Sequence, residues 1–149
     1  MTFLTYNLAD NTTGAILNQL GVDLDNDANA LTDNTPSGTT AYVGDPSDTP
    51  NDWYYVAGVK TARPDFSTVG SWSSTTITAD GVSAATFSSG LPNPTTIIVS
   101  VPIGSGLDIP SPITETSGSF SLTTTVPGDY YIMFDAFPYK QVIQKITAS

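Results

Sequence analysis

The sequence predicts an all-β fold, with a small N-terminal β meander followed by an immunoglobulin-like antiparallel β-sandwich. Residues that favour helices are scarce: the 149-residue chain has 4 Lys and Arg in total, and 13 of its 14 acidic residues are Asp. Thr, Ser and Asn supply most of the polar side chains, and 12 Gly and 11 Pro interrupt them. Threonine-rich segments between such turn signals are typical of β-strands.

The clearest predicted strand covers residues 130–137. It follows the turn signal Pro127-Gly128, in which Pro presets φ and Gly accepts a positive φ. One face of this strand is apolar and consists of Tyr130, Ile132, Phe134 and Ala136. The other face alternates large side chains with a charge and consists of Tyr131, Met133, Asp135 and Phe137. We expect the first face to line the core and the second to meet solvent or a partner.

The C-terminal region shows repeated strand patterns at the spacing of a β-sandwich, roughly 8–12 residues apart. Seven candidates cover residues 75–79, 84–88, 95–101, 107–113, 119–124, 130–137 and 141–147. Turn signals such as Asp80-Gly81 and Ser117-Gly118 separate them. The number and spacing of the strands indicate an immunoglobulin-like sandwich, and the lack of cysteine excludes an antibody-type domain. We assign this sandwich to residues 71–149.

The N-terminal region, residues 1–70, shows weaker patterns joined by long acidic loops. Residues 3–8 predict a first strand, and residues 15–20 predict either its hairpin partner or a one-turn helix. Residues 21–51 are polar and irregular except for a strand pattern over 40–43. A second predicted hairpin pairs the aromatic segment 53–56 with 59–61 through an Ala57-Gly58 turn and ends at Arg63-Pro64. Two aromatic residues, Phe66 and Trp72, are expected to anchor the following linker.

Composition excludes several classes of function. The chain has no His and no Cys, which removes imidazole bases, thiol nucleophiles and nearly all zinc, copper and iron sites. Its net charge of −10 predicts no binding to nucleic acid or anionic membranes. No apolar run approaches the roughly 20 residues of a membrane helix, and no export signal is visible. We expect a protein without enzymatic activity and without catalytic residues.

An acidic loop is the one candidate metal site. Asp23, Asp25 and Asp27 present carboxylates at every second residue, as calcium-binding loops do. However, position 12 of the loop is Asn34 instead of a bidentate Glu, and the Gly at position 6 is missing. A solvated acidic loop, or one that faces a basic partner, is therefore favoured over a Ca²⁺ site. We expect no cofactor otherwise.

Aromatic residues mark two candidate interfaces. Trp53 and Tyr55 share one strand face and Tyr54 shares the other with Val56, so both faces of the hairpin need to be covered. This favours a core or protein interface over a carbohydrate-stacking platform. On the strand 130–137, the outward side chains of Tyr131 and Phe137 are too apolar for solvent alone. We include Arg63, at the end of the aromatic hairpin, among the interface residues.

Two segments resemble small tail-associated proteins of tailed bacteriophages, including tail-fibre proteins. The first runs from Trp53-Tyr54-Tyr55-Val56 through Gly58-Val59 to Arg63-Pro64; in those proteins a short hairpin ending in Arg-Pro precedes an immunoglobulin-like domain. The second comprises Asp80-Gly81, Gly90-Leu91-Pro92, Ser117-Gly118, Pro127-Gly128-Asp129-Tyr130 and Phe137-Pro138-Tyr139. Together they cover residues 53–147. Ala57 stands where these proteins usually have Gly.

The resemblance implies a structural protein of the virion that acts in tail assembly or host-surface adhesion. Its expected partners are other virion structural proteins and a host glycan or protein, and it is expected in several copies on a particle. A capsid decoration protein is the nearest alternative, because acidic loops suit basic capsid surfaces. A carbohydrate-binding module that uses Trp53 and Trp72 is the alternative from a different class.

Overall fold

A computed structural model of the chain describes residues 3–23, 25, 29–88 and 90–149. These residues form twelve strands, one four-residue α-helix and one short 3-10 helix, which confirms the all-β prediction. The chain divides into two compact units, Met1–Arg63 and Pro64–Ser149. We refer to them as the N-terminal and C-terminal units.

A three-stranded antiparallel sheet forms the frame of the N-terminal unit. Its strands are β1 (Phe3–Asp10), β2 (Ile16–Asp23) and β3 (Thr39–Val43). β1 and β2 form a hairpin, so residues 16–20 are strand and not the alternative one-turn helix. The strand order is β2-β1-β3, which places β1 in the centre, whereas a simple meander would place β2 there.

The central position of β1 explains its weak sequence pattern. Four consecutive residues of this strand are buried, namely Tyr6, Asn7, Leu8 and Ala9. Successive side chains of a strand point to opposite faces, so both faces of β1 are covered. A strand covered on both sides needs no alternation of apolar and polar residues. One of the covered residues, Asn7, is polar and fully buried.

A separate two-stranded hairpin completes the N-terminal unit. β4 (Trp53–Val56) and β5 (Val59–Ala62) pair around a two-residue turn. Both turn residues have positive φ, 49° at Ala57 and 81° at Gly58. Positive φ at both central positions defines a type I′ turn, whose twist matches that of the flanking strands. The α-helix of the described residues, α1 (Ala30–Asp33), lies within the stretch expected to be irregular.

Seven strands form the C-terminal unit, as the sequence predicts. They are β6 (Thr76–Ile77), β7 (Ala85–Phe87), β8 (Thr95–Ser100), β9 (Ile113–Glu115), β10 (Phe120–Leu122), β11 (Gly128–Asp135) and β12 (Val142–Ala148). One strand differs from its expected position. The prediction covered residues 107–113, but β9 begins at residue 113, where its three residues pair with residues 95–97 of β8.

The pairing of these strands is that of an immunoglobulin-like sandwich. One sheet has the order β6-β12-β11-β8-β9, and the other pairs β7 with β10. The neighbours β8-β11-β12 and β7-β10 correspond to the C-F-G and B-E neighbours of that fold. An isolated bridge joins Trp72 to Phe87 in the second sheet, while β6 pairs in parallel with β12 in the first.

An aromatic cluster centred on Phe134 fills the space between the two sheets. The Phe134 ring lies 5.2 Å from Phe87 in an edge-on arrangement and 5.5 Å from Trp72 in a stacked one. All four residues of the predicted core face of β11 are buried: Tyr130, Ile132, Phe134 and Ala136. The alternation of side chains along β11 therefore identifies its core face correctly.

The division between the units falls seven residues before the boundary placed at residue 70. Phe66 explains this position, because it is 3% exposed and packs in the C-terminal core. It opens a 3-10 helix, Phe66–Thr68, and its ring lies 5.7 Å from that of Phe134. Phe66 and Trp72 thus anchor their segment to the sandwich.

Candidate functional site

The aromatic hairpin has one face directed toward the interior of the N-terminal unit. Tyr55 lies opposite Lys60 in the register of the hairpin, and Trp53 precedes it on the same face. Tyr55 is 6% exposed and stacks on Tyr42 with ring centroids 4.2 Å apart. Its side chain therefore belongs to the core of the unit and is almost fully withdrawn from solvent.

A buried polar cluster lies against this face of the hairpin. We define it as Asn7, Gln19, Asp48, Tyr55 and Lys60. The Asn7 amide nitrogen donates hydrogen bonds to Asp48 Oδ2 at 2.7 Å and to the Tyr55 hydroxyl at 3.1 Å. The Asn7 oxygen accepts a hydrogen bond from Gln19 Nε2 at 2.8 Å. In the described residues no buried side-chain nitrogen or oxygen lacks a partner, which is the condition for a stable buried network.

The Asp48 carboxylate is the centre of the polar cluster. Its side chain is 4% exposed, and Lys60 Nζ lies 2.9 Å from Oδ1 and 3.2 Å from Oδ2. The backbone N–H of Asp45 donates a third hydrogen bond to Oδ2 at 3.0 Å. Lys60 also lies 4.8 Å from the centroid of the Trp53 ring, a cation–π distance. One carboxylate thus joins β1, the loop before β4 and the hairpin.

The ion pair changes the pKa of both partners. Burial by itself raises the pKa of Asp48, but hydrogen bonds from the Asp45 N–H, Lys60 and Asn7 outweigh burial, so the pKa lies below its ordinary value. The hydrogen bond to Asp48 raises the pKa of Lys60 above its ordinary value. Both groups are therefore charged at neutral pH.

An open cleft of about 420 Å³ lies on the same unit. The turn Asp10–Gly14 forms one wall, the hairpin residues 54–58 form another, and Tyr42 contributes an aromatic ring. Asp10 shapes the first wall, because its Oδ1 accepts hydrogen bonds from the backbone N–H of Thr12 at 2.9 Å and of Thr13 at 2.7 Å. The hydrogen bonds from Thr13 and Thr12 lower the pKa of Asp10. The cleft combines aromatic rings with polar turn atoms.

Arg63 has a role within its own unit. Its guanidinium donates a hydrogen bond to the carbonyl oxygen of Pro50 at 2.8 Å, and its backbone N–H donates to the carbonyl oxygen of Asp52 at 2.8 Å. Both contacts tie the end of the hairpin to the loop before β4. Arg63 therefore secures the fold at the end of β5.

The acidic loop predicted as a weak calcium candidate contains a local hydrogen bond between its own residues. The Asp23 side chain accepts a hydrogen bond from the backbone N–H of Asp25 at 3.1 Å, and Asp27 lies outside the described residues. Within the described ranges no group of three or more acidic side chains is arranged to hold a metal. Two acidic residues of the loop before β4 have different roles: Asp48 belongs to the polar cluster, whereas Asp45 accepts a hydrogen bond from the backbone N–H of Ser47 at 2.8 Å.

The outer face of the five-stranded sheet carries an apolar row. Met133 lies directly opposite Ile98 on one neighbouring strand and Ile143 on the other. Residues directly opposite each other share a face of the sheet, so these three side chains form a row across β8, β11 and β12. Ile98 is 37% exposed and Ile143 is 65% exposed. Tyr131, which is 46% exposed, extends the row along β11. We call these four residues the apolar row.

Charged side chains border the apolar row. Lys145 lies opposite Tyr131 and pairs with Asp129 at 3.5 Å. Asp135 follows Met133 on the same face and accepts a hydrogen bond from Gln141 Nε2 at 3.0 Å. Phe137, the other predicted interface residue here, lies just beyond the end of β11 and is 40% exposed. The arrangement is an apolar centre with a polar border.

Sequence reasoning missed the polar cluster. Asn7, Asp48 and Lys60 are far apart in the chain, and each taken alone has the appearance of a surface residue. The only available signal was Asn7 within a strand whose neighbours are apolar. The apolar row was partly predicted, because Tyr131 was assigned to a partner-facing surface while Ile98 and Ile143 were not.

Comparisons with known proteins give no relative on which to base a function. No protein-family model, no curated protein and no solved structure matches the chain. Across the described residues, no helix has the length and apolar character needed to cross a membrane.

Proposed function

We propose that the chain is a non-enzymatic structural protein of a tailed-bacteriophage virion, located at the tail tip or tail fibre. It would act in assembly or adhesion by contact with neighbouring proteins or the host surface. The assignment to a phage rests on the resemblance of residues 53–147 described above. The observation that carries the contact function is the apolar row on the C-terminal unit.

The apolar row has the properties of a protein contact. Three side chains from adjacent strands span roughly 10 Å, since neighbouring strands lie just under 5 Å apart. The centres of protein interfaces are apolar and depleted of charge, and their borders are polar. The Asp129–Lys145 pair and Asp135 supply such a border. Several copies on one particle would add avidity to a contact of this size.

The polar groups support a role without catalysis. Lys60 is paired with Asp48, and Lys145 with Asp129, so both amines are engaged in ion pairs within their own units. Asp135, the carboxylate on the outer face, is hydrogen bonded to Gln141. Trp72 packs against the aromatic core and Trp53 against the core of the N-terminal unit, so both tryptophans of the sugar-binding alternative are partly buried.

Purified virions test the location of the protein. We expect mass spectrometry to detect the chain in virions, and antibody labelling in electron micrographs to mark the tail. Labelling of the capsid would instead support the alternative of a capsid decoration protein. Virions that lack the protein would exclude both locations.

Surface substitutions test the apolar row. Ile98→Asp and Ile143→Asp place charges on either side of Met133 at exposed positions, so the fold should persist while incorporation into virions falls at least tenfold, or about 1.4 kcal/mol of contact energy. Val82→Asp is the matched control, because Val82 is 81% exposed and lies outside the row. Incorporation of all three variants at the wild-type level would show that the row is not the contact surface.

The tyrosine-lined cleft keeps carbohydrate binding as the second candidate. Its aromatic rings and turn hydroxyls have the chemistry of a sugar site. Calorimetric titration with host surface glycans tests this function, and Tyr54→Ala should abolish any heat that the wild-type protein gives. Heat that persists in Tyr54→Ala would place the sugar elsewhere.

A further inference from the structure

The polar cluster brings an amine, an amide and a carboxylate into one contact. Asp48 Oδ2 lies 2.7 Å from the amide nitrogen of Asn7 and 3.2 Å from the amine nitrogen of Lys60. The two nitrogens therefore flank a single oxygen atom. β1 and β5 hold the two side chains in this position, so their approach is part of the fold.

We propose that Lys60 and Asn7 become joined by an amide bond between their side chains, with Asp48 as the group that transfers protons. A lysine amine is a nucleophile when it is neutral, and the carbonyl carbon of an amide is an electrophile. Holding both groups in a fixed geometry makes the reaction effectively unimolecular. The inference does not depend on the proposed virion function.

The reaction balances within the cluster. Asp48 accepts a proton from the Lys60 ammonium, and the nitrogen lone pair then forms a bond to Cγ of Asn7. The C=O π electrons move to Oδ1 and give a tetrahedral oxyanion. Asp48 transfers protons from Nζ to Nδ2, the Cγ–Nδ2 bond breaks, and Oδ1 regains its double bond. The products are a secondary amide, the unchanged Asp48 carboxylate and one ammonium ion.

Two further contacts favour the tetrahedral intermediate. Gln19 Nε2 donates a hydrogen bond to Oδ1 of Asn7, the atom on which negative charge develops. Gly44 packs against the same amide, and a Cβ at that position would lie 2.6 Å from Cγ of Asn7. Gly44 thus holds the Asn7 amide in place, and Gln19 polarises its carbonyl group. Asn7 itself is fully buried.

The ion pair makes the reaction slow. Lys60 is 35% exposed and pairs with Asp48, so the neutral amine is a minor species and the amide bond forms gradually. One turnover per molecule is sufficient, since an amide bond persists once it is formed. The cross-link would then accumulate with the age of the folded protein.

Intact-mass measurement of the aged, folded full-length chain tests the proposal. We expect a mass lower by one ammonia, and a digest should contain a branched peptide that joins the segments around Asn7 and Lys60. Protein kept in denaturant for the same time should retain its full mass. An aged folded chain with the full sequence mass would overturn the proposal, and loss of water instead would assign the bond to Asp48.

Two variants identify the reacting groups. Lys60→Arg keeps a positive charge beside Asp48 but removes the nucleophile, so its mass should equal that calculated from its sequence. If Lys60→Arg also lost ammonia, the loss would come from cyclisation of an asparagine onto its own backbone, and the proposal would fail. Asp48→Asn should slow the reaction by roughly 100-fold, the lower range for a general acid–base group. An unchanged rate in folded Asp48→Asn would remove Asp48 from the mechanism.

Discussion

The hydroxyl of Tyr130 donates a hydrogen bond to the carbonyl oxygen of Val126, four residues earlier in the chain, at 2.9 Å. The same hydroxyl lies 2.7 Å from Oγ1 of Thr124. Tyr130 is fully buried near the start of β11, and its ring fills the end of the sandwich core. A tyrosine in this place, bonded back to the preceding turn, is the tyrosine corner of immunoglobulin-like domains. It fixes the turn that leads into the central strand.

Tyr130→Phe tests the contribution of this corner. The substitution keeps the ring but removes both hydrogen bonds of the buried hydroxyl, so we expect a loss of about 1–3 kcal/mol in the free energy of unfolding. Urea denaturation followed by Trp72 emission measures it. Tyr131→Phe is the matched control on the outer face and should change stability by less than about 0.5 kcal/mol. Equal effects of the two variants would show that the corner does not stabilise the unit.

Phe134→Ala tests the aromatic core. The Phe134 ring lies against four aromatic rings, which would lose this packing partner: Phe66, Trp72, Phe87 and Phe120. We expect a loss of roughly 3–5 kcal/mol, as for other buried aromatic residues. Asp135→Asn, the next residue on the opposite face, should change stability little. A larger effect for Asp135→Asn would mean that the two faces of β11 are assigned the wrong way round.

Local patterns predicted the C-terminal unit well because its strands follow simple rules. β11 has one buried and one outer face, so alternation of side chains reveals both. Short strands separated by Gly and Pro turns also revealed the sandwich. The weak strand pattern at residues 107–113 placed β9 too early in the chain. The position of this three-residue edge strand is set by pairing with β8 and not by its own sequence.

The N-terminal unit was harder to predict because distant residues determine it. Asn7 is polar, yet it is buried by contacts with Asp48 and Tyr55, which lie 41 and 48 residues away. No local pattern indicates such partners. The order β2-β1-β3 likewise depends on the return of β3 to the far edge of β1. Hydrogen-bonded networks of this kind become visible only when the fold brings their members together.

Acid titration tests the role of Asp48. Its folded-state pKa lies below the ordinary value of 3.8, so its contribution to stability is present above that value and is lost as pH falls through the lowered pKa. We expect the N-terminal unit to lose stability below about pH 4. Trp53 emission in a Trp72→Phe background follows that unit, because Lys60 lies over the Trp53 ring.

Asp48→Asn should be less stable than wild type at neutral pH and show a flatter dependence on pH below about 4. Asp135→Asn, outside the N-terminal unit, serves as the control and should keep the wild-type profile. The raised pKa of Lys60 gives a pH dependence of stability in the opposite direction. Its contribution is present below the ordinary value of 10.5 and is lost as pH rises through the raised pKa. A wild-type acid profile in Asp48→Asn would assign the effect to other carboxylates.

The β4–β5 turn provides a test of backbone strain. Ala57 has φ of 49°, in the left-handed region where a residue with Cβ is disfavoured by roughly 1–2 kcal/mol. Ala57→Gly removes this strain but increases the freedom of the unfolded chain, which offsets about 0.4–1 kcal/mol of the gain. We therefore expect a net stabilisation of about 0.5–1 kcal/mol, measured by urea denaturation with Trp53 emission.

Gly58→Ala is the matched change at the adjacent turn position, where φ is 81°. It adds a Cβ in the same disfavoured region, so it should destabilise the hairpin by roughly 1–2 kcal/mol. The added Cβ would meet only the Tyr42 ring at 3.7 Å, an ordinary contact, so any loss reports the backbone conformation and not a clash. Opposite signs for the two variants would establish that the turn is type I′. Stabilisation by both would contradict that geometry, because no turn with positive φ at both positions gains from a Cβ at the second.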